Sequence, residues 1–300
     1  MSLVSFVKVT NNAEDSIRQA ILESLNAINY SFEKEVKNVV IKPNLCYYWD
    51  YSTGQTTDPR FMAELIDLIR EEISPNADIS VVESDASAMK CKYAFKILGY
   101  EKLAEDYKVN LTNLSTDPYR YVQVKAGTQS FRMMVPQTIE KADLKINVPK
   151  IKYAMKGIEL TCALKNIFGC NPYPRKFRYH PYLGEAIVAS NKAMKFDLCI
   201  VDGNIVSGIQ PRRLGLVMAS RDFVAIDAAA AKIAGLNPKK IKYIKLANKE
   251  GLGNISFIPK GAPISHFRSA YPRKDVKKKL MGNAYSLVTR LRMGRRLGLE

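Results

Sequence analysis

The chain has 300 residues, 47% of them hydrophobic and 25% charged, which is ordinary globular usage and excludes global disorder. Its formal net charge is +17, and no stretch approaches the roughly 18 uninterrupted apolar residues that a membrane span needs. The opening run MSLVSFVKVTNNAEDSIRQ lacks the basic and apolar regions of a signal peptide, and the five cysteines (46, 91, 162, 170 and 199) have no CxxC spacing. A reduced, cytoplasmic setting is the expectation.

Residues 4–10 read as a strand and 13–28 as a helix, with Ile17, Ile21, Leu22, Leu25 and Ile28 at helical spacing. NVVIK at 38–42 is a compact strand ended by Pro43, and Pro59 then opens a helix to residue 73 with Asp58 as its N-cap. Another strand covers 79–82, followed by a helical stretch at 90–107 that breaks near Gly99. This alternation predicts a largely parallel sheet covered by helices. Between residues 109 and 136 three β-like stretches follow one another without a helix, which predicts an antiparallel insert or sheet extension. Strand patterns return at 143–148, 197–201 and 214–219, and helical patterns at 160–168, 183–194, 223–234 and 239–248. The expected fold is α/β: a mostly parallel sheet flanked by helices, an antiparallel β insert near 109–136, and a basic C-terminal helical tail. One body spans 1–262, divisible near 109–142, and a basic extension spans 263–300.

Ligands of open parallel sheets bind beyond the carboxyl ends of the strands, where loops and helix N-termini aim backbone N–H groups outward. Five expected strand ends carry polar residues: Lys42 and Asn44; Glu83 and Asp85; Asn147, Lys150 and Lys152; Asp202 and Asn204; Ser220 and Asp222. Each has a plain structural alternative, such as Asp222 and Ser220 capping the next helix or Asp202–Gly203 forming a turn. Together they predict one polar site on one sheet edge.

The charge is concentrated. Residues 145–178 hold eight Lys or Arg against Glu159 alone, and residues 266–300 hold ten against Asp275 and Glu300. Lys165 lies inside the apolar run CALKNIFG, so it either contacts a ligand or pairs with an acid such as Glu83 or Asp202. The run YPRKFRYHPY at 173–182 reads as a loop closing over an anion or as a solvated basic loop, with His180 as a possible acid or base. The scattered cysteines argue against an iron–sulfur cluster. A Mg²⁺ ion held by Asp202 and Asp222, or by Glu83, together with a substrate phosphate is an open alternative.

The ordered blocks IKPNL, TTDP, VVES, INVPKIK, LKNIFG, a histidine, IVDG, ASRDFVAIDA and EGLG resemble the domain-of-unknown-function family 362 from about residue 39 to residue 254. The resemblance implies that Lys42, Asn44, Thr57, Asp58, Glu83, Asn147, Lys150, Lys152, Lys165, Asn166, Asp202, Asp222 and Asp227 are characteristic positions, without supplying a reaction. Many relatives carry ferredoxin-like CxxCxxC regions that this chain lacks, and many have a histidine where this chain has Tyr153.

Three functions compete. The first is an enzyme acting on a small phosphorylated or carboxylated metabolite, with Lys152 or Lys165 as the reactive cation and Asp202 or Glu83 moving a proton. The second is nucleic-acid binding through segments 145–180 and 266–300. The third is a redox protein partnered by a separate ferredoxin. The basic tail also suits an anionic membrane surface, a partner groove or docking on the body.

Overall fold

A computed structural model of the chain describes residues 1–11, 14–33, 36–155 and 157–272. The basic tail beyond residue 272 therefore lies outside the described residues. The chain opens with β1 (Ser2–Lys8) and α1 (Glu14–Ala27), then β2 (Asn38–Pro43) and α2 (Pro59–Glu72). Helix α2 starts where expected: Pro59 occupies its first turn, and the Asp58 carboxylate accepts from the Arg60 amide at 2.9 Å. Next come β3 (Asp78–Glu83), α3 (Cys91–Ile97) and α4 (Tyr100–Tyr107). Gly99 between the two helices has φ +80°, a left-handed conformation that ends one and starts the other.

The middle of the chain forms β4 (Asn110–Asn113), β5 (Tyr119–Ala126), β6 (Gln129–Pro136), α5 (Gln137–Lys141), β7 (Leu144–Val148), the short strands β8 (Lys152–Tyr153) and β9 (Leu160–Thr161), and α6 (Ala163–Phe168). After α7 (Leu183–Ala193) come β10 (Leu198–Val206), β11 (Arg212–Ser220), α8 (Phe223–Ile233), α9 (Lys242–Lys249), β12 (Phe257–Gly261) and α10 (Ile264–Ala270).

Eight strands make one sheet in the order β12-β1-β11-β10-β7-β2-β3-β4. All neighbours pair in parallel except at β11, which is antiparallel to both β1 and β10. Only β5 and β6 of the three central β-like stretches form a separate antiparallel hairpin. Strand β4 joins the main sheet in parallel with β3, because α3 and α4 supply the crossover that a parallel pair requires.

Successive residues of a strand point to opposite faces, and this builds two cores. Val39, Ile41 and Val81 pack in the cluster that contains the buried faces of α1 to α4, whereas Val40 and Val82 join the cluster containing α6 to α9. The result is a three-layer α/β/α body, and the loops at the carboxyl ends of its parallel strands are free to build a site.

Candidate functional site

Lys42 of β2 stands level with Asn147 of β7, Asn147 with Cys199 of β10, and Ile41 with Val81 of β3. The parallel strands therefore deliver their polar ends to one edge. The fifth expected end turns away from it. Since β11 runs the other way, Ser220 pairs with Cys199 near the start of β10, and Asp222 heads towards the opposite edge. Both have structural duties: the Ser220 hydroxyl donates to the Leu3 carbonyl at 2.7 Å, and Asp222 caps α8 by accepting from the Ala225 amide at 2.9 Å. Asp222 also accepts from the Ser2 hydroxyl (2.6 Å) and the Asn254 amide (2.8 Å).

Asp202 is fully buried and pairs with buried Lys150 at 3.0 Å. Its oxygens also accept from the amides of Asp58 (2.9 Å) and Asn204 (3.1 Å). Asp202 and Asp222 thus belong to separate hydrogen-bond groups and do not form a joint cation site. Lys165, for which Asp202 and Glu83 were the expected acid partners, pairs with neither, because Lys150 holds the first and Lys42 the second.

A polar layer links the strand ends. The Asn166 amide group donates to the Asn147 side-chain oxygen (2.8 Å) and the Lys42 carbonyl (3.1 Å), and its oxygen accepts from Asn44 at 2.9 Å. Asn147 in turn donates to the Ala163 carbonyl at 3.0 Å. Thr57 donates to the Val148 carbonyl (2.9 Å) and accepts from the Asn44 amide (2.8 Å). Asn44, Thr57, Asn147 and Asn166 therefore brace the edge, since each buried amide or hydroxyl needs a partner there.

Above this layer lies a cavity of about 660 Å³. Four lysines line it (Lys42, Lys152, Lys165 and Lys176), with Glu83 as the one carboxylate in its wall among the described residues. Lys42 donates to Glu83 at 2.7 Å and to the Pro43 carbonyl at 2.6 Å. Lys152 donates to the Asn44 side-chain oxygen at 2.5 Å and the Gln55 carbonyl at 3.0 Å. Lys176 is anchored by the Ser84 hydroxyl (2.5 Å) and the carbonyls of Asp85 (2.9 Å) and Gly169 (3.2 Å). Lys165 alone of the four donates no hydrogen bond and makes no ion pair with a described residue.

Burial and mutual repulsion weaken Lys152, Lys165 and Lys176. Burial lowers the Lys165 amine to about 8, and the charges of Lys152 and Lys42 push the same way. Lys176 also falls to about 8 through burial, with Glu83 opposing and Lys42 reinforcing the shift. Lys152 is lowered by burial, against the favourable influence of Cys46. His180 lines the same cavity, stacked on Phe177 at 5.0 Å between ring centroids. Burial and then the Lys165 charge lower it to about 4, so its imidazole is neutral at physiological pH. The segment expected as a loop, 173–182, instead winds a 3₁₀ helix over Lys176–Tyr182.

Helix α6 carries Lys165 and Asn166, and its start is held from α8. Asp227 accepts from the amides of Ala163 (2.7 Å) and Leu164 (3.1 Å). Burial raises the Asp227 carboxyl to about 7, opposed by those two amide bonds and by Tyr243.

A profile of the domain-of-unknown-function family 362 matches residues 39–232. The chain belongs to that family. A thylakoid-associated protein of Synechocystis sp. is 27% identical over 265 residues, covering 83% of this chain and 78% of that protein. Two solved structures are similar at 12% identity: the lactate racemase apoprotein from Thermoanaerobacterium thermosaccharolyticum (TM-score 0.45) and a protein from Thermotoga maritima (TM-score 0.43). Each likeness covers 79% of this chain but only 58% and 59% of those structures, so this chain spans less than two thirds of their length.

The family 362 blocks supply the cavity floor through Lys42, Glu83, Lys152, Lys165 and Asn166, and its supports through Asp202 and Asp227. Tyr153, where many relatives have histidine, does not line the cavity. Its hydroxyl donates to the Ala234 carbonyl at 2.9 Å and its ring meets Tyr271 edge-on. Among the described residues no group of three or more His, Cys, Asp or Glu is placed to hold a metal ion. Lys176, Cys46 and Phe177 are cavity residues that sequence reasoning missed. A signal for Lys176 existed: exposed Arg175 and Arg178 lie three apart, the repeat of a 3₁₀ turn, which leaves Lys176 and Phe177 facing inward.

Proposed function

We propose that the chain is an enzyme acting on a small anionic metabolite, carboxylated or phosphorylated, held in the lysine-lined cavity at the carboxyl edge of the sheet. The observation that carries this reading is the charge balance of the wall: among the described residues four lysines share one cavity with a single carboxylate. Like charges so confined repel, and an anion is the occupant that relieves them. Lys152 and Lys42, fixed by Asn44 and Glu83, hold the anion as preorganised donors. Lys165 is the reactive amine, and neutral His180 beside it takes or returns a proton. Asp202 has a supporting part, securing Lys150 beneath the site.

Nucleic-acid binding through the central basic segment has less support. Lys150 is buried, and Lys152, Lys165 and Lys176 turn into the cavity, which leaves Arg175 and Arg178 as its exposed described cations. A reducing, cytoplasmic setting accords with five free thiols, four of them buried.

Thermal denaturation with inorganic phosphate and with short mono- and dicarboxylates tests the proposal. A ligand present at a hundred times its Kd raises stability by about 2.7 kcal/mol. Stabilisation by at least one anion, lost in Lys152→Met, is the expected result. No stabilisation by any anion in a well-folded sample overturns the reading.

A further inference from the structure

Three of the four cavity lysines are committed to the protein: Lys42 to Glu83, Lys152 to Asn44 and Gln55, and Lys176 to Ser84 and two carbonyls. Lys165 is the exception, although it stands on a helix whose start is clamped by Asp227. Its helix is held in place, yet its amine has no hydrogen bond or ion pair with a described residue, so no structural task is shown for it. Its surroundings are those that activate a lysine as a nucleophile: apolar side chains from Met155, Phe168 and Leu183 in the same wall, and other cations close by.

We infer that Lys165 forms an imine with a small carbonyl compound bearing an anionic group, the anion resting on Lys152 and Lys42. The inference rests on the proposed anion site and deepens it by naming the reacting bond. The neutral amine of Lys165 adds its lone pair to the carbonyl carbon, and one proton of the amine nitrogen passes to the carbonyl oxygen to give a neutral carbinolamine. The carbinolamine nitrogen gives a proton to the neutral imidazole of His180. That proton passes to the departing hydroxyl, which leaves as one water, and the C=N bond forms. No oxidant, reductant or further reactant enters. Once protonated, the imine withdraws electrons from the adjacent carbon, so the site suits loss of a proton, or of a carbon substituent, next to the former carbonyl.

The amine near 8 supports this chemistry. At pH 7 such a group is neutral in about one molecule in ten, against about one in two to three thousand for an ordinary lysine. Cyanoborohydride trapping of the full chain at pH 7, followed by peptide mass mapping, tests the inference. The probes are pyruvate and 2-oxobutyrate in one arm and dihydroxyacetone phosphate in the other, with acetone as the neutral control. One reduced adduct per chain on Lys165 is expected, formed about tenfold or more faster than on any surface lysine and faster with an anionic probe than with acetone. The arm that reacts identifies the anion as carboxylate or phosphate. Lys165→Arg, which keeps a cation in place, is expected to lose the adduct. Adducts scattered over surface lysines, or an adduct on another cavity lysine, overturn the inference. If carboxylates or phosphate stabilise the fold yet no adduct forms on Lys165, imine formation is excluded while the anion site stands. If neither stabilisation nor an adduct is seen, both fall.

Discussion

Two lysine–carboxylate pairs stand at the same sheet edge and differ in what surrounds them. Lys150 and Asp202, 3.0 Å apart, are sealed within the protein, and two backbone amides also donate to Asp202. Lys42 and Glu83, 2.7 Å apart, are almost as buried but form part of the cavity wall. The chemistry is the same, yet one pair is closed in on every side and the other opens onto a space that a ligand can enter. Burial alone therefore does not separate a structural ion pair from one that belongs to a site; access from the cavity does.

Removing one partner breaks this comparison most sharply. Asp202→Ala leaves Lys150 charged and sealed, and is expected to cost about 3–5 kcal/mol, read as a large fall in the urea midpoint or failure to fold. Glu83→Ala leaves Lys42 facing the cavity, where water or an anion can replace the carboxylate. Its cost is expected at about 1–3 kcal/mol, and added phosphate is expected to restore part of it. Equal losses in the two variants, or no phosphate effect on the second, would erase the distinction.

A third measurement sharpens the comparison through pH. The Asp227 carboxyl is raised from 3.8 to about 7, so the folded state binds its proton more tightly than the unfolded state. Its contribution to stability is complete below about pH 4 and is lost as pH rises towards 7. Asp227→Asn is expected to flatten this decline at the cost of about 1 kcal/mol for the lost acceptor. Unfolding titrations from pH 4 to 8 check it, and an unchanged slope would remove Asp227 as the cause. The smallest expected effect has the opposite sign. Lys165→Met removes a confined cation that has no partner among the described residues, and is expected to stabilise the fold by about 1 kcal/mol at pH 7 while abolishing turnover. A lower melting temperature in that variant would show that Lys165 supports the structure.

Much of the fold was legible because local rules agree with it. NVVIK and ISVVE announce buried strands, Asp58–Pro59 starts a helix and Gly99 divides one, each for a reason contained within a few residues. The direction of β11 was not legible. LGLVMAS reads as a strand either way, and its hydrogen bonds to β1 and β10 alone decide its sense. For the same reason Asp222 was placed at the wrong edge. Lys165 was conspicuous as a charge within an apolar run, but its lack of a partner among the described residues was not, since pairing depends on which strands become neighbours. The register that sets Ile41 level with Val81 brings Glu83 to Lys42.

The sheet order has a further consequence for how the family's common part is insulated. The matched span, 39–232, holds β2 to β11, whereas β1 and β12 come from outside it, at opposite ends of the described chain. Strand β1 lies along the open side of β11, and β12 lies along β1. A fragment cut to the matched span would end its sheet on LGLVMAS, an apolar strand with unpaired backbone groups, and edges of that kind recruit other chains. The first eight residues thus serve as a selvedge: they finish an edge that would otherwise fray into self-association.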